Sequence, residues 1–183
     1  MMYIKWAILV PLNLLAMLSA FLLAPIWALF ADKEGKYPRL LYWASTPDNT
    51  ADGDGGFKEN HAKYKGDPAL LTWGQRYINR IWWMMRNPAY GFDYMIAFKA
   101  VEGCKVERIA GTHDIDGRKD QSGYYLAVAT NPDGSKAWQF YMTHHWNATH
   151  CWKCNLGYKV WATPIESRPC QFTFSPLGVY WPL

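Results

Sequence analysis

A chain of 183 residues with 19% charged side chains and a net charge of +4 is long enough for one modest core plus an anchor, and too short for two packed soluble domains beside one. Its Lys and Arg residues are scattered among acidic ones, not gathered into a stripe, so nucleic acid is not an expected partner. The 17% of Trp, Tyr and Phe favours a β-rich domain or one lying near a membrane interface.

The first predicted element runs from Trp6 to Ala31, 26 residues without a charge, bracketed by Lys5 and by Asp32, Lys33 and Glu34. About 20 such residues cross a bilayer. Trp6 and Trp27 lie 21 positions apart, roughly 31 Å along a helix, which puts one indole at each interface. Pro11 and Asn13 fall in the outer turn and Pro25 near the far end, predicting a kink or tilt. A cleaved signal peptide is the competing reading. Its apolar region spans about 7–15 residues and ends in small residues at −3 and −1; here the run is longer, and Ala20, Ala24 and Ala31 each follow a Leu by two positions. A buried core helix is disfavoured because no face is polar. Residues 1–31 are therefore expected to form a single-pass transmembrane anchor, with membrane lipid as partner. Counting Lys33, Lys36 and Arg39 against Lys5 favours a cytoplasmic C-terminal domain.

Residues 32–66 read as a linker and an Asp/Gly-rich loop. Leu40, Leu41, Tyr42 and Trp43 are expected to pack on the domain or against headgroups. Within the loop, Asp48, Thr50, Asp52, Gly53, Asp54 and Glu59 follow the spacing of a calcium loop, in which alternating oxygens converge around a sharp Gly turn. Thr at the third position, Gly55 at the eighth and Pro47 just before the loop depart from an EF-hand. An irregular Ca²⁺ loop stands against a solvated Asp/Gly turn.

Residues 67–183 read as a helix plus an antiparallel β domain. Asp67 as cap, Pro68 at the first helical position and Asn87-Pro88 as a stop predict a helix over 67–86, with Leu70, Trp73, Tyr77, Arg80, Ile81 and Met84 on a face that covers a sheet. From Asp93 the period changes to two, which predicts strands over 94–101, 105–111, 124–130, 137–146, 152–161 and 171–174. Asn131-Pro132-Asp133-Gly134 supplies a tight hairpin turn. The expected class is α+β: an N-terminal transmembrane helix, then a mainly antiparallel β-meander with one covering helix.

Two further clusters invite chemistry. His113, Asp114, Asp116, Gly117 and Asp120 form an acidic turn that becomes a catalytic His–Asp pair only with a nucleophile or metal beside it. His144, His145, His150, Cys151 and Cys154 combine C-x-x-C with histidines, a zinc-like donor set, and His150, Cys151 and Cys154 are the candidate ligands. On a regular strand, residues three apart point to opposite faces, which argues against a shared metal. A redox dithiol or disulfide and ordinary strand residues are the alternatives. Trp82, Trp83, Met84 and Met85 resemble a ligand box but suit a core helix, and Asn147-Ala148-Thr149 is a glycosylation sequon with meaning only in a eukaryotic secretory setting. No phosphate-binding loop, dinucleotide fingerprint, nucleophile elbow or H-E-x-x-H helix is present.

Thr46-Pro47-Asp48-Asn49 followed by Asp52-Gly53-Asp54, then Arg86-Asn87-Pro88-Ala89-Tyr90-Gly91-Phe92, Gly157-Tyr158-Lys159 and Phe174-Ser175-Pro176 resemble uncharacterised small membrane proteins of tailed bacteriophages and prophages. The resemblance covers most of the chain after the anchor. That family form carries Trp where Tyr158 stands, and the His/Cys cluster is no part of it. The resemblance implies a phage gene product in the inner membrane of a bacterial host and carries over no catalytic residue. Together with the exposed-type aromatics, it leads to the expectation of a membrane-anchored, non-enzymatic interaction or structural protein with a protein partner, against a Ca²⁺- or Zn²⁺-binding module or metal-dependent enzyme.

Overall fold

Period-two alternation from residue 105 onward builds one antiparallel sheet: β1 (Lys105–Gly111), β2 (Gly123–Thr130), β3 (Lys136–Asn147), β4 (His150–Tyr158) and β5 (Phe172–Tyr180), paired in the order β1-β2-β3-β4-β5. The computed structural model describes residues 1–112, 115, 122–147, 150–160 and 169–180, with backbone alone at 179 and 180. The acidic turn around His113 to Asp120 and the last two sequon residues lie outside the described residues. The chain divides into two compact units, one of Met1–Val10 with Ile96–Leu183 and one of Pro11–Met95. The α+β class and the β-meander expected from the sequence are both present.

In the first unit, one face of β2 buries Tyr125, Ala127 and Ala129, opposite Tyr141, Gln139 and Ala137 on β3. The Tyr125 and Tyr141 rings stack at 5.4 Å, the cross-strand pairing that stabilises a pleated surface. Tyr158, Val160, Cys170 and Phe172 complete the core. A helix segment that packs on this core is the start of α1 (Met2–Leu22). Trp6, Leu9 and Val10 pack against the cluster, and the Trp6 indole lies 5.0 Å from Trp138 and 6.0 Å from Phe172 while donating to the Thr173 carbonyl at 3.3 Å. The β2–β3 connection closes with the Gly134 N–H on the Asn131 carbonyl at 2.9 Å, and Gly134 takes a φ of 82°, as the turn residues require.

Residues 94–101 are not a strand. Tyr90–Met95 is helix α5, and only Phe98 pairs, as an isolated bridge to Cys170. The cause is tertiary: Ala89, fully buried at a φ of 54°, turns the chain, and the Phe92 N–H is taken by the Trp43 carbonyl at 2.8 Å. β4 ends at Tyr158, and β5 runs on to Tyr180 because Pro176 falls where the β4–β5 register shifts, on the last strand of the sheet, where no ladder donor is needed.

In the second unit α1 stops at Leu22, since Pro25 cannot donate to residue 21 and its ring crowds that turn. Pro25 instead opens the short α2 (Ala24–Trp27), and a 3₁₀ turn, Ala28–Phe30, ends the apolar run. After α3 (Gly55–Asn60) the helix expected over 67–86 forms in two pieces. Asp67 caps only a 3₁₀ turn, Pro68–Leu70; α4 (Trp73–Arg86) starts afresh from a capping box in which Thr72 and Gln75 each satisfy the other's backbone. The inward face of α4 is also rotated from the expected one: Asn79, Arg80, Trp83 and Met84 are buried, while Leu70 and Trp73 are exposed. α4 packs on α2 and the following 3₁₀ turn. Within the 82–85 box, Trp83 and Met84 are core residues and Trp82 faces solvent.

Gly91 lies where α5 passes the segment before the Asp/Gly loop. A Cβ there would sit 1.8 Å from the Tyr42 carbonyl oxygen and 2.9 Å from that of Ser45, backbone atoms that cannot swing away. Gly91→Ala is expected to lower unfolding stability by about 2–3 kcal/mol, read as a shifted urea midpoint with an unchanged slope.

Candidate functional site

The most unusual surface belongs to α1. The helix is 21 residues long and apolar enough to cross a membrane. Its two sides differ in size, not in polarity. In the second unit the inward positions are Asn13, Ala16, Met17, Ala20, Ala24 and Ala28; Ala20 packs with Ala44 and Ala89, and Ala24 with Tyr37, Leu41 and Met84. Small side chains let the backbones approach closely. The outward positions Leu12, Leu15, Leu18, Leu22, Ile26 and Leu29 are 49% to 63% exposed. A soluble core helix puts its large apolar residues inward; this one turns them out. In the first unit the helix start differs: Ile4 and Ile8 are exposed, while the large Trp6, Leu9 and Val10 pack on the sheet.

One polar side chain breaks the inward face. Asn13 is 1% exposed, and its side-chain amide donates to Asp93 Oδ1 of α5. A buried amide left without a partner would be costly, so this bond fixes the rotation of α1 about its own axis.

Just beyond the apolar run, the expected calcium loop has another use. Asp52, 8% exposed, accepts from Arg80 Nε at 2.9 Å and from Arg76 Nε at 3.3 Å, both from the inward side of α4. The guanidinium groups reach on to main-chain carbonyls: Arg80 donates to Ala31 at 3.0 Å and Asp32 at 2.8 Å, and Arg76 to Lys33 at 2.9 Å. One carboxylate and two arginines thus tie the end of the apolar run, the loop and α4 together. Burial pushes the Asp52 carboxyl up, but hydrogen bonds from Arg76 and Arg80 and their charges outweigh it and hold it below the usual carboxylate range. The neighbouring Tyr37 hydroxyl, buried and without a hydrogen-bond partner, is held well above its ordinary value, chiefly by burial, with the Arg80 charge opposing.

The remaining loop residues are dispersed. Asp54 caps α3 by accepting from the Phe57 N–H at 2.7 Å; Glu59 is exposed on α3; Asp48 and Thr50 line an open cleft of about 690 Å³ with Tyr42 and Tyr94. Asp48, Thr50, Asp52, Asp54 and Glu59 are therefore not assembled as a cation shell. Among the described residues no group of three His, Cys, Asp or Glu side chains is placed to hold a metal ion. Thr46 accepts from the buried Trp83 indole at 3.1 Å and ties the loop to α4.

His150, Cys151 and Cys154 do not converge either. β3 and β4 pair in unbroken register from Gln139↔Gly157 to His145↔Cys151, so Cys151 and Cys154, three apart, point to opposite faces. His150 turns to the Asn147 side chain, its Nδ1 3.1 Å from Oδ1. Cys104, Cys151 and Cys154 are free thiols, and Cys151, Cys154 and Cys170 are buried. Burial pushes the Cys154 thiol up and, with the nearby Cys104, the Cys170 thiol to about 11. Because the thiolate is the nucleophile, iodoacetamide at pH 8 is expected to modify at most Cys104 in the native protein and all four thiols after denaturation, counted by intact mass. Rapid native labelling of Cys154 or Cys170 would show that the sheet is not packed as described.

A model of a family of unknown function, DUF7338, matches residues 1–181. No curated protein and no solved structure matches the chain.

Proposed function

The chain belongs to this family of unknown function, DUF7338, and from that premise we propose that it is a membrane-attached, non-enzymatic interaction or structural protein held to lipid by α1. The observation that carries the reading is the inverted packing of the apolar run, alanines inward and leucines outward. Water penalises six half-exposed Leu and Ile side chains, and hydrocarbon does not. Exposed aromatics elsewhere, Trp73, Trp82, Tyr124 and Trp146, are the kind of side chain that anchors a protein partner. The resemblance of its motifs to those of phage membrane proteins supports a role at the envelope of an infected bacterium or in a virion-associated complex.

The test is fractionation of the full chain expressed in bacteria. The expected result is a membrane pellet that survives a high-salt wash and dissolves in detergent, with Met1 or Met2 at the amino terminus by mass spectrometry. Uncleaved protein in the high-speed supernatant overturns the reading, and a mature chain starting after residue 20 shows a signal sequence instead.

A further inference from the structure

We infer that α1 lies in the plane of the bilayer, with its leucine side in one leaflet, and does not span it; this rests on the membrane attachment proposed above. What covers the inward side of the helix limits how deep it can sit. Asn13, near the middle of α1, is bonded to Asp93. Further along, the Tyr77 hydroxyl donates to the Pro25 carbonyl at 2.8 Å, and Arg80 to that of Ala31. The inward side from residue 13 to residue 31 is thus covered by the same unit, with apolar contacts at Ala20 and Ala24 and polar or charged partners at Asn13, Pro25 and Ala31. The covering segments also include irregular backbone, the 3₁₀ turn Arg39–Leu41 and the turn at Trp43 and Ala44.

A helix that spans carries its covering segments into hydrocarbon with it. There an ionisable side chain is expensive and irregular backbone is tolerated only when enclosed by protein or water. Asp93 would sit at the depth of Asn13, close to the bilayer centre. Laid flat, the same helix immerses only the outward stripe, by about 5–10 Å, and leaves Asp93, Arg76 and Arg80 on the aqueous side. The occupant of the stripe is a lipid surface, on two grounds. The stripe's large positions from Leu12 to Leu29 are Leu and Ile, with one partly exposed Ser19 among them and no charged position, and exposed basic residues stand at both ends of the run, Lys5 before it and Lys33, Lys36 and Arg39 after it, with Asp32 and Glu34 among the latter. Cations flanking an apolar face suit anionic headgroups.

The two poses differ in depth along the helix. From Leu12 to Leu22 the axis advances roughly 15 Å. In a spanning pose Leu12 lies near the bilayer centre and Leu22 near an interface; in the flat pose they share one depth. The test uses the full chain with Cys104→Ala and a single nitroxide label at Leu12→Cys, Leu15→Cys, Leu18→Cys or Leu22→Cys, in vesicles of phosphatidylcholine and phosphatidylglycerol. Depth is read from oxygen against nickel-chelate relaxation, and a circular dichroism melt of each variant confirms folding. Equal, shallow depths at all four sites support the flat pose. A depth that falls steadily from Leu12 to Leu22 overturns it while leaving membrane attachment intact. Failure of the unlabelled wild-type chain to float with the vesicles removes the attachment reading itself, and flotation lost to a dimer that protects the stripe assigns that face to a second copy. As a second measurement, an impermeant thiol reagent added outside sealed vesicles is expected to reach Ile4→Cys and Asp32→Cys equally in the flat pose; protection of one of them overturns it.

Discussion

Replacing Leu15 and Leu18 together by aspartate is expected to release the full-length protein from the membrane pellet into the supernatant. Each leucine immersed in lipid contributes about 1.5–3 kcal/mol, and a carboxylate in its place adds a penalty of its own. The pair therefore costs about 4–6 kcal/mol, three to four decades in partitioning. Both side chains are more than half exposed and touch no core cluster, so the fold should be nearly indifferent, with stability in detergent or water changed by no more than about 0.5 kcal/mol per site. That contrast between large loss of binding and small loss of stability distinguishes a lipid-facing stripe from a core face. If the variant unfolds, these leucines pack on protein; if it stays in the pellet, lipid does not hold them.

The largest expected effect on stability comes from Asp52→Ala. It leaves two guanidinium groups facing each other without their carboxylate, and the Arg80 side chain is only 6% exposed. Breaking a buried pair by removing one member costs about 3–5 kcal/mol; Arg76, at 18% exposed, keeps some solvent and belongs at the lower end. Thermal and urea unfolding measure this directly. Acid tells the same story by linkage. Because Asp52 binds its proton less readily in the native state, its stabilisation is complete above the ordinary carboxylate range near pH 4 and disappears as the pH falls through its lower native value. The wild type should lose stability in that window, and Asp52→Asn should be weaker at neutral pH but flatter below pH 4. A neutral Asp52→Ala variant with unchanged melting would mean that the arginines are held by the 31–33 carbonyls alone.

The calcium pattern shows how a motif misleads. Its spacing reports that acidic residues alternate around a glycine turn, and a turn of that kind also serves when one carboxylate faces inward and another caps a helix. The deciding partners, Arg76 and Arg80, are 24 and 28 residues further along, beyond the reach of any loop pattern. Similar distance hid the pairing of Asn13 with Asp93. The apolar periodicity of residues 70–84 predicted a face that the fold uses only in part: Arg80 and Met84 are buried, but Asn79 and Trp83 join them while Leu70 and Trp73 are exposed, because the inward side is set by the Asp52 partner of Arg80 as well as by apolar spacing.

Local chemistry was enough for the sheet. β1 begins and ends at the residues its alternation predicted, the Asn131–Gly134 turn closes as its residue types require, and the opposite pointing of Cys151 and Cys154 follows from strand geometry. Each of these depends on neighbours within a few residues, so sequence by itself determined them, along with the apolar character of the first helix. Which side of that helix meets protein was decided only by tertiary structure. Leu and Ala are both apolar, so no polarity pattern marks a face, and the choice falls to how closely Ala44 and Ala89 can approach Ala20. Small residues inward and large ones outward become visible only once the second surface is in place.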